Sequence, residues 1–517
     1  MQKIVIDPLT RVEGHLKVEA VVDGGEIKEA SCAGMLFRGF EIFLKGRDPR
    51  DASRITQRVC GVCPSSHATA SALCLDSAFG VNDRIPDNGR LIRNLILGAN
   101  YLQSHILHFY HLAALDYVDV TAVADYEGDD PDLLSVKSFI KHGVLAPFVP
   151  RYEGDYRLSP EMNRAAVGHY VKALNMRRLT HEMSAVFGGK MPHNAATVVG
   201  GVSSDAAGDK IVSFLGKLKA VREFIDNYYI PDVLAVAGAY PDYFEIGKGC
   251  GKYLAYGAFD LDGNPDLTKR KRLLPQGAAT AELTVEDIDP AGIAEKVKHS
   301  WFDDSCSAHP SRGRTVPAPD KEDGYSWIKG PRYKEEPHEV GPLARYVVAY
   351  LRGEKKVKEA VDGVLSRFKA QPTALFSVLG RHAARALEAK LVADSMEEWL
   401  LQIKPGEPVC ADYELPQEGE GMGLVCAPRG ALGHWISIKD KVIDNYQLVV
   451  PTTWNCSPTD DAGRPGPCEQ ALIGTKIKDK ENPFEIVRIV RSFDPCLACA
   501  VHVVNPKGRT LGKYRIA

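Results

Sequence analysis

Four of the twelve cysteines in this 517-residue chain stand in two Cys-x-x-Cys pairs, Cys60/Cys63 and Cys496/Cys499. Two such pairs that converge present four soft sulfur donors, a set that suits zinc, an iron-sulfur centre or other redox metals. Zinc ribbons keep their pairs within a few tens of residues. Here nearly the whole chain separates them, a poor design for a small structural clip, and any shared centre requires a fold that brings both ends together. The flanks are distinctive: Arg58-Val-Cys60-Gly-Val-Cys63-Pro64 early, Asp494-Pro-Cys496-Leu-Ala-Cys499-Ala-Val-His502 late. The other eight cysteines, Cys32, Cys74, Cys250, Cys306, Cys410, Cys426, Cys456 and Cys468, sit singly along the sequence and read as buried thiols.

The elements that must position these pairs are legible in outline. Lys3–Asp7 and His15–Asp23 read as strands, the second ending at Gly24-Gly25. After Cys63-Pro64 a helix is expected, capped by Ser65 or Ser66 and ended by Gly80. Apolar residues at three-to-four spacing predict helices near 94–117, 160–187, 209–228, 341–369 and 375–402. Residues 250–335, rich in Gly, Pro, Asp and Lys, read as a loop-rich, partly β insertion, and 408–451 as short strands with Gly-rich turns. The expected class is mainly α with peripheral β (α+β): a helical central bundle on which the two terminal segments converge at a buried metal site. Residues 1–502 form one integrated domain in this reading, with 503–517 as a C-terminal extension.

Composition narrows the function. Apolar (44%) and charged (25%) fractions are ordinary for a globular protein. A net charge of −3 without a Lys/Arg tract argues against nucleic acid. No apolar run approaches the length of a membrane span, and the N-terminus lacks a secretory signal pattern. His105, His108 and His111 recur every three residues, but without a carboxylate partner they read as packing or hydrogen-bonding residues.

The two flanked cysteine motifs resemble the signature pair of nickel-iron hydrogenase large subunits. Further matching stretches are Arg11-Val-Glu13-Gly-His15, Arg38-Gly-Phe-Glu41 running on through Gly46-Arg-Asp-Pro-Arg-Asp-Ala, and His108-Phe-Tyr-His111-Leu. Gly188-Gly-Lys-Met-Pro-His193, Ala427-Pro-Arg429-Gly and Pro451-Thr-Thr-Trp-Asn also correspond. The likeness is to the periplasmic uptake and nickel-iron-selenium type, with cysteine at 496 where some relatives carry selenocysteine. Only 250–335 carries no recognised motif.

The resemblance implies reversible heterolytic cleavage of H2. It assigns Cys60, Cys63, Cys496 and Cys499 to nickel, with Cys63 and Cys499 bridging to an iron that carries carbon monoxide and cyanide. Cys496 is the leading proton acceptor and Arg429 the runner-up, although a guanidinium is ordinarily protonated. Glu13 is the expected proton exit. Glu41, the Leu448 carbonyl and His502 resemble a magnesium site, and Pro428, Arg429 and Thr452 the surroundings of the diatomic ligands. A tail such as Val503–Ala517 is removed after His502 by a dedicated protease in the family, which marks this sequence as a precursor form. With no further cysteine motif, electrons require an iron-sulfur small subunit. Such a partner also carries the export signal in similar proteins, implying the periplasmic side of the membrane, with contact to the membrane only through partner subunits; a cytoplasmic location is the alternative. Rival readings are the quinone-site subunit of respiratory complex I, which lacks the four cysteines, and a structural zinc protein or hydrogen sensor, many sensors lacking such a tail.

Overall fold

The computed structural model of the chain describes residues 1–143, 148 and 151–500. Four long helices form its centre: Asp87–Ile106, Pro160–Gly188, Gly208–Phe224 and Val378–Gln402. Asp87–Ile106 packs against both Pro160–Gly188 and Val378–Gln402, and Gly208–Phe224 closes the set from the far side. Pro160–Gly188 starts on a Ser159 cap with proline in its first turn and stops at Gly189, which takes a left-handed conformation. Both signals are the ordinary start and stop chemistry of a helix.

Small antiparallel sheets surround the bundle. Gln2–Ile6, Leu16–Asp23 and Glu26–Gly34 form an N-terminal meander, and Glu418–Ala427, Gly430–Lys439 and Val442–Val449 form a second near the C-terminus. Helix Pro64–Ala78 lies directly on this second sheet. A Cβ added at Gly421 would fall 2.1 Å from the Cys74 carbonyl oxygen, and one at Gly423 2.1 Å from that of Ala70. Glycine at these positions lets strand and helix backbones meet, which fixes the helix that starts beside Cys63.

Several boundaries differ from the sequence reading. The helix after the first cysteine pair begins at Pro64 with Cys63 itself in the cap position, not Ser65 or Ser66; proline at the first helical position has no N–H to satisfy and a preset φ, and the Ser66 and His67 N–H groups donate to the Cys63 carbonyl. The helix expected near 94 begins at Asp87, then widens into a π turn over Leu107–Ala113. The segment 341–369 is two helices, Pro342–Leu351 and Lys355–Phe368. Residues 250–335 hold short paired strands, including Lys252–Ala255 with Gly277–Thr280 and Ile293–Lys296 with Gly330–Tyr333. No helix among the described residues is long and apolar enough to cross a membrane.

Candidate metal centre

The two ends of the chain meet through backbone pairing. Glu13 and Cys496 form an isolated parallel bridge: the Glu13 N–H donates to the Pro495 carbonyl at 3.3 Å, and the Leu497 N–H donates to the Glu13 carbonyl at 2.6 Å. Gly14 has φ +85°, and a Cβ there would lie 2.7 Å from the Leu497 Cβ. The N-terminal arm can therefore press flat against the late cysteine segment only with glycine at 14. Farther out, Arg11 donates to the Leu112 carbonyl and pairs with Asp116, while Arg491 reaches both Asp116 and the Thr10 carbonyl.

Four buried sulfurs converge where the ends join. Cys60 lies 3.3 Å from Cys496, Cys63 lies 3.2 Å from Cys499, and Cys496 lies 3.1 Å from Cys499. Among the described residues they are the one group of three or more His, Cys, Asp or Glu side chains whose donor atoms all lie within 4.8 Å of one another. Burial pushes the Cys496 and Cys499 thiols well above the ordinary thiol range, and the Cys60 and Cys63 sulfurs add to it at both. Four thiols so close cannot all ionise without a compensating cation, and a soft divalent metal supplies that charge with the matching donor preference. The residues present therefore fit a thiolate-bound transition metal.

Other predicted site residues fall around this quartet. The Glu13 carboxylate accepts the Ala498 N–H at 2.8 Å and lies 3.3 Å from the Cys496 sulfur; burial, then the nearby Cys60, raise its pKa. The Thr452 hydroxyl accepts the Cys496 N–H at 2.8 Å. Arg429 donates to the Asp494 carbonyl and to Ser104, and its guanidinium pairs with the Asp494 carboxylate at 3.0 Å. Burial opposes its charge, but Asp494 and the thiols more than offset this, so the proton stays on Arg429. The carbonyl of Pro428 accepts from Arg345 at 2.8 Å. Glu41 accepts the Leu448 N–H at 2.9 Å, which brings those two residues together. His502 and Val503 lie outside the described residues.

Some participants carry no role in the sequence reading. Arg38 donates to the Val59 and Ala498 carbonyls, one residue before Cys60 and one before Cys499. It sits inside a matching motif, but its bridging role depends on contacts between distant segments. Beside Glu41, Lys329 contributes a buried ammonium 3.5 Å from the Glu41 carboxylate, 3.1 Å from Glu295 and 3.2 Å from the Gln447 side-chain oxygen. Burial raises Glu295 to about 7. Both Glu295 and Lys329 come from the stretch without recognised motifs. The three histidines go separate ways: His105 to Glu388, His108 to the Arg491 carbonyl and His111 to the Tyr170 carbonyl.

A buried thiolate quartet assembled from both ends of an α+β helical body defines a metalloenzyme of the sulfur-ligated transition-metal class. Residues 38–502 match the family described as nickel-dependent hydrogenase, and residues 3–33 one described as HoxL-like. The chain is 44% identical to the large subunit of the periplasmic NiFeSe hydrogenase of Desulfomicrobium baculatum, over 97% of this chain and 95% of that one. It is 39% identical to the uptake hydrogenase large subunit of Rhizobium leguminosarum bv. viciae, over 100% and 97%. The solved Ni-Fe-Se hydrogenase of D. vulgaris Hildenborough in its reduced state superposes with a TM-score of 0.85 at 44% identity, covering 97% of this chain and 100% of the other. The chain belongs to the nickel-dependent hydrogenase family, as a large subunit and an oxidoreductase acting on hydrogen.

Proposed function

We propose that the Cys60, Cys63, Cys496 and Cys499 sulfurs hold nickel, with Cys63 and Cys499 shared by an iron bearing carbon monoxide and cyanide. When bound, the metals supply the Lewis acid and electron acceptor for heterolytic splitting of H2. The observation that carries this reading is the mutual approach of all four buried sulfurs within 4.8 Å.

The protein's own groups then manage the proton. The Cys496 sulfur receives it, because this thiol lies nearest a carboxylate that can take it onward. Glu13, half-buried and 3.3 Å away, passes it outward, and its raised pKa brings it closer to the working pH of a proton carrier. Thr452 fixes the Cys496 backbone, and Arg429, held charged by Asp494, offsets the negative thiolates. Together with Pro428, these two residues line the pocket for the diatomic ligands. Glu41 and the Leu448 main chain, joined by His502, would hold magnesium; the buried Glu41 carboxylate lying against the Leu448 main chain in strand Val442–Val449 supports it.

The electrons leave through an iron-sulfur small subunit, and the pair works on the periplasmic side of the membrane. The relative from D. baculatum, named as periplasmic, supports that location. A protease removes the tail after His502 once the metal is loaded. Infrared spectroscopy of the purified, nickel-containing complex tests the centre. Bands from metal-bound carbon monoxide and cyanide are expected, and their absence from matured protein overturns the assignment.

A further inference from the structure

The Cys60-Gly61-Val62-Cys63 loop belongs to no helix or strand. It runs from the short turn Gln57–Val59 to the start of helix Pro64–Ala78, with Gly61 exposed. Such a loop has no ladder of its own to fix it, yet it carries two of the four sulfurs. Its backbone is held instead from helix Asp87–Ile106. The Val62 carbonyl accepts from the Asn100 amide at 2.9 Å and from the Gln103 amide at 2.6 Å, which fills both lone pairs of that oxygen. Both amide side chains are fully buried. Asn100 also accepts from the Ser66 hydroxyl at 3.3 Å, in the first turn after Cys63, and Gln103 lies 3.3 Å from the Nε2 of His181 on helix Pro160–Gly188.

These partners fix every orientation along the line. A flipped Gln103 amide would set its oxygen against the Val62 oxygen, so its NH2 faces Val62 and its oxygen faces His181, whose Nε2 must then carry the hydrogen. With its carbonyl anchored, Val62 aims its N–H at the Cys60 sulfur, 3.2 Å away. Among the described residues this is the one backbone N–H that donates to a sulfur of the quartet. Three hydrogen bonds of 3.3, 2.6 and 3.2 Å thus lead from His181 through Gln103 and Val62 to Cys60. The outer end is half-buried, in a groove lined also by Leu174, Arg177 and Met191, so it can be altered without touching the cysteine loop.

We propose that Asn100 and Gln103 are positioning residues that hold the Val62 N–H on Cys60, and that this bond tunes the reduction potential of the metal bound there. The inference rests on the nickel-iron reading above. A hydrogen bond to a thiolate withdraws charge from the sulfur, makes it a weaker donor and favours the reduced metal. Cys60 alone receives such a backbone donor, while Cys496 faces the Glu13 carboxylate, so the quartet's two outer sulfurs sit in unlike surroundings.

The test uses the complete, metal-loaded complex with its iron-sulfur partner. It is titrated electrochemically while the infrared bands of bound carbon monoxide and cyanide report the state of the centre. Gln103→Leu removes a donor to Val62, and His181→Phe removes the outermost bond. Both midpoints are expected to move to more negative potential than the parent's, Gln103→Leu by more, at unchanged nickel per chain. An amide that merely tethers the loop predicts lost nickel with the midpoint of the remaining centres unmoved, and that result overturns the proposal. Where Gln103→Leu fails to fold or to load metal, His181→Phe decides alone, and an unmoved midpoint there overturns the proposal. A parent complex without carbon monoxide and cyanide bands overturns the nickel-iron reading and this inference together, whereas bands present with unmoved midpoints overturn this inference only.

Discussion

Gly14→Ala isolates the contact on which the metal centre depends. The alanine would have to adopt φ near +85° and place its Cβ 2.7 Å from the Leu497 Cβ and 2.9 Å from the Ala498 nitrogen. The left-handed backbone costs about 1–2 kcal/mol for an alanine. The forced contact adds about 1–3 kcal/mol, as overpacking does in a closed interior. Gly24→Ala is the matched control, since Gly24 has φ +58° but open space around the added carbon, so it carries the strain without the crowding. The difference of about 1–3 kcal/mol corresponds to roughly 5- to 150-fold in the equilibrium between a closed and a sprung N-terminal arm. The assay is nickel per chain after dialysis against a chelator, beside thermal melting of the same samples. Gly14→Ala is expected to lose nickel and melt earlier, while Gly24→Ala loses little nickel. Equal nickel retention and equal melting in the two variants would refute the claim that the arm closes the site through this contact.

Glu13→Gln keeps an acceptor for the Ala498 N–H but removes the titrating group. Turnover with an artificial electron acceptor is expected to drop by about 10²–10⁴-fold with nickel content unchanged, and turnover within about twofold of the parent would remove Glu13 from the proton route. Glu388 is buried, which pushes its pKa up, but Arg345 and His105 more than offset this and carry it to about 2. Its folded pKa is depressed, so its contribution to stability is present above about pH 4.5 and is lost as pH falls toward 2. Glu388→Gln leaves the Arg345 guanidinium unpaired, an expected loss of about 3–5 kcal/mol, and its melting temperature should depend less on pH below 4.5 than that of the parent. Arg38→Ala removes the donors shared by the Val59 and Ala498 carbonyls; nickel content, measured by elemental analysis, is expected to fall while the far-ultraviolet circular dichroism spectrum stays unchanged.

The sequence reveals the cysteine pairs and the necessity of their meeting, because ligand chemistry depends on residue type and short spacing. It also reveals the N-terminal strands and the long helix at Pro160–Gly188, whose caps are written locally. What escapes is set by contacts between distant segments. Helix Asp87–Ile106 is buried on nearly all sides, so its polar first turn breaks the apolar spacing that marks a one-sided helix, and its start is placed late. Lys329 and Glu295 sit in a loop-rich stretch with no local pattern, and only the fold carries them to Glu41.

The parallel bridge between Glu13 and Cys496 also bears on the order of biosynthesis. A ribosome adding about 5–20 residues per second releases the early sulfur pair roughly 20 to 90 seconds before the late pair exists. During that interval the first two thiols have no partners, and no amount of folding upstream can supply them. Assembly of the centre therefore waits on the late pair, and the nascent chain must keep half of its chemistry idle and reduced until the Cys496 segment arrives to pair with Glu13.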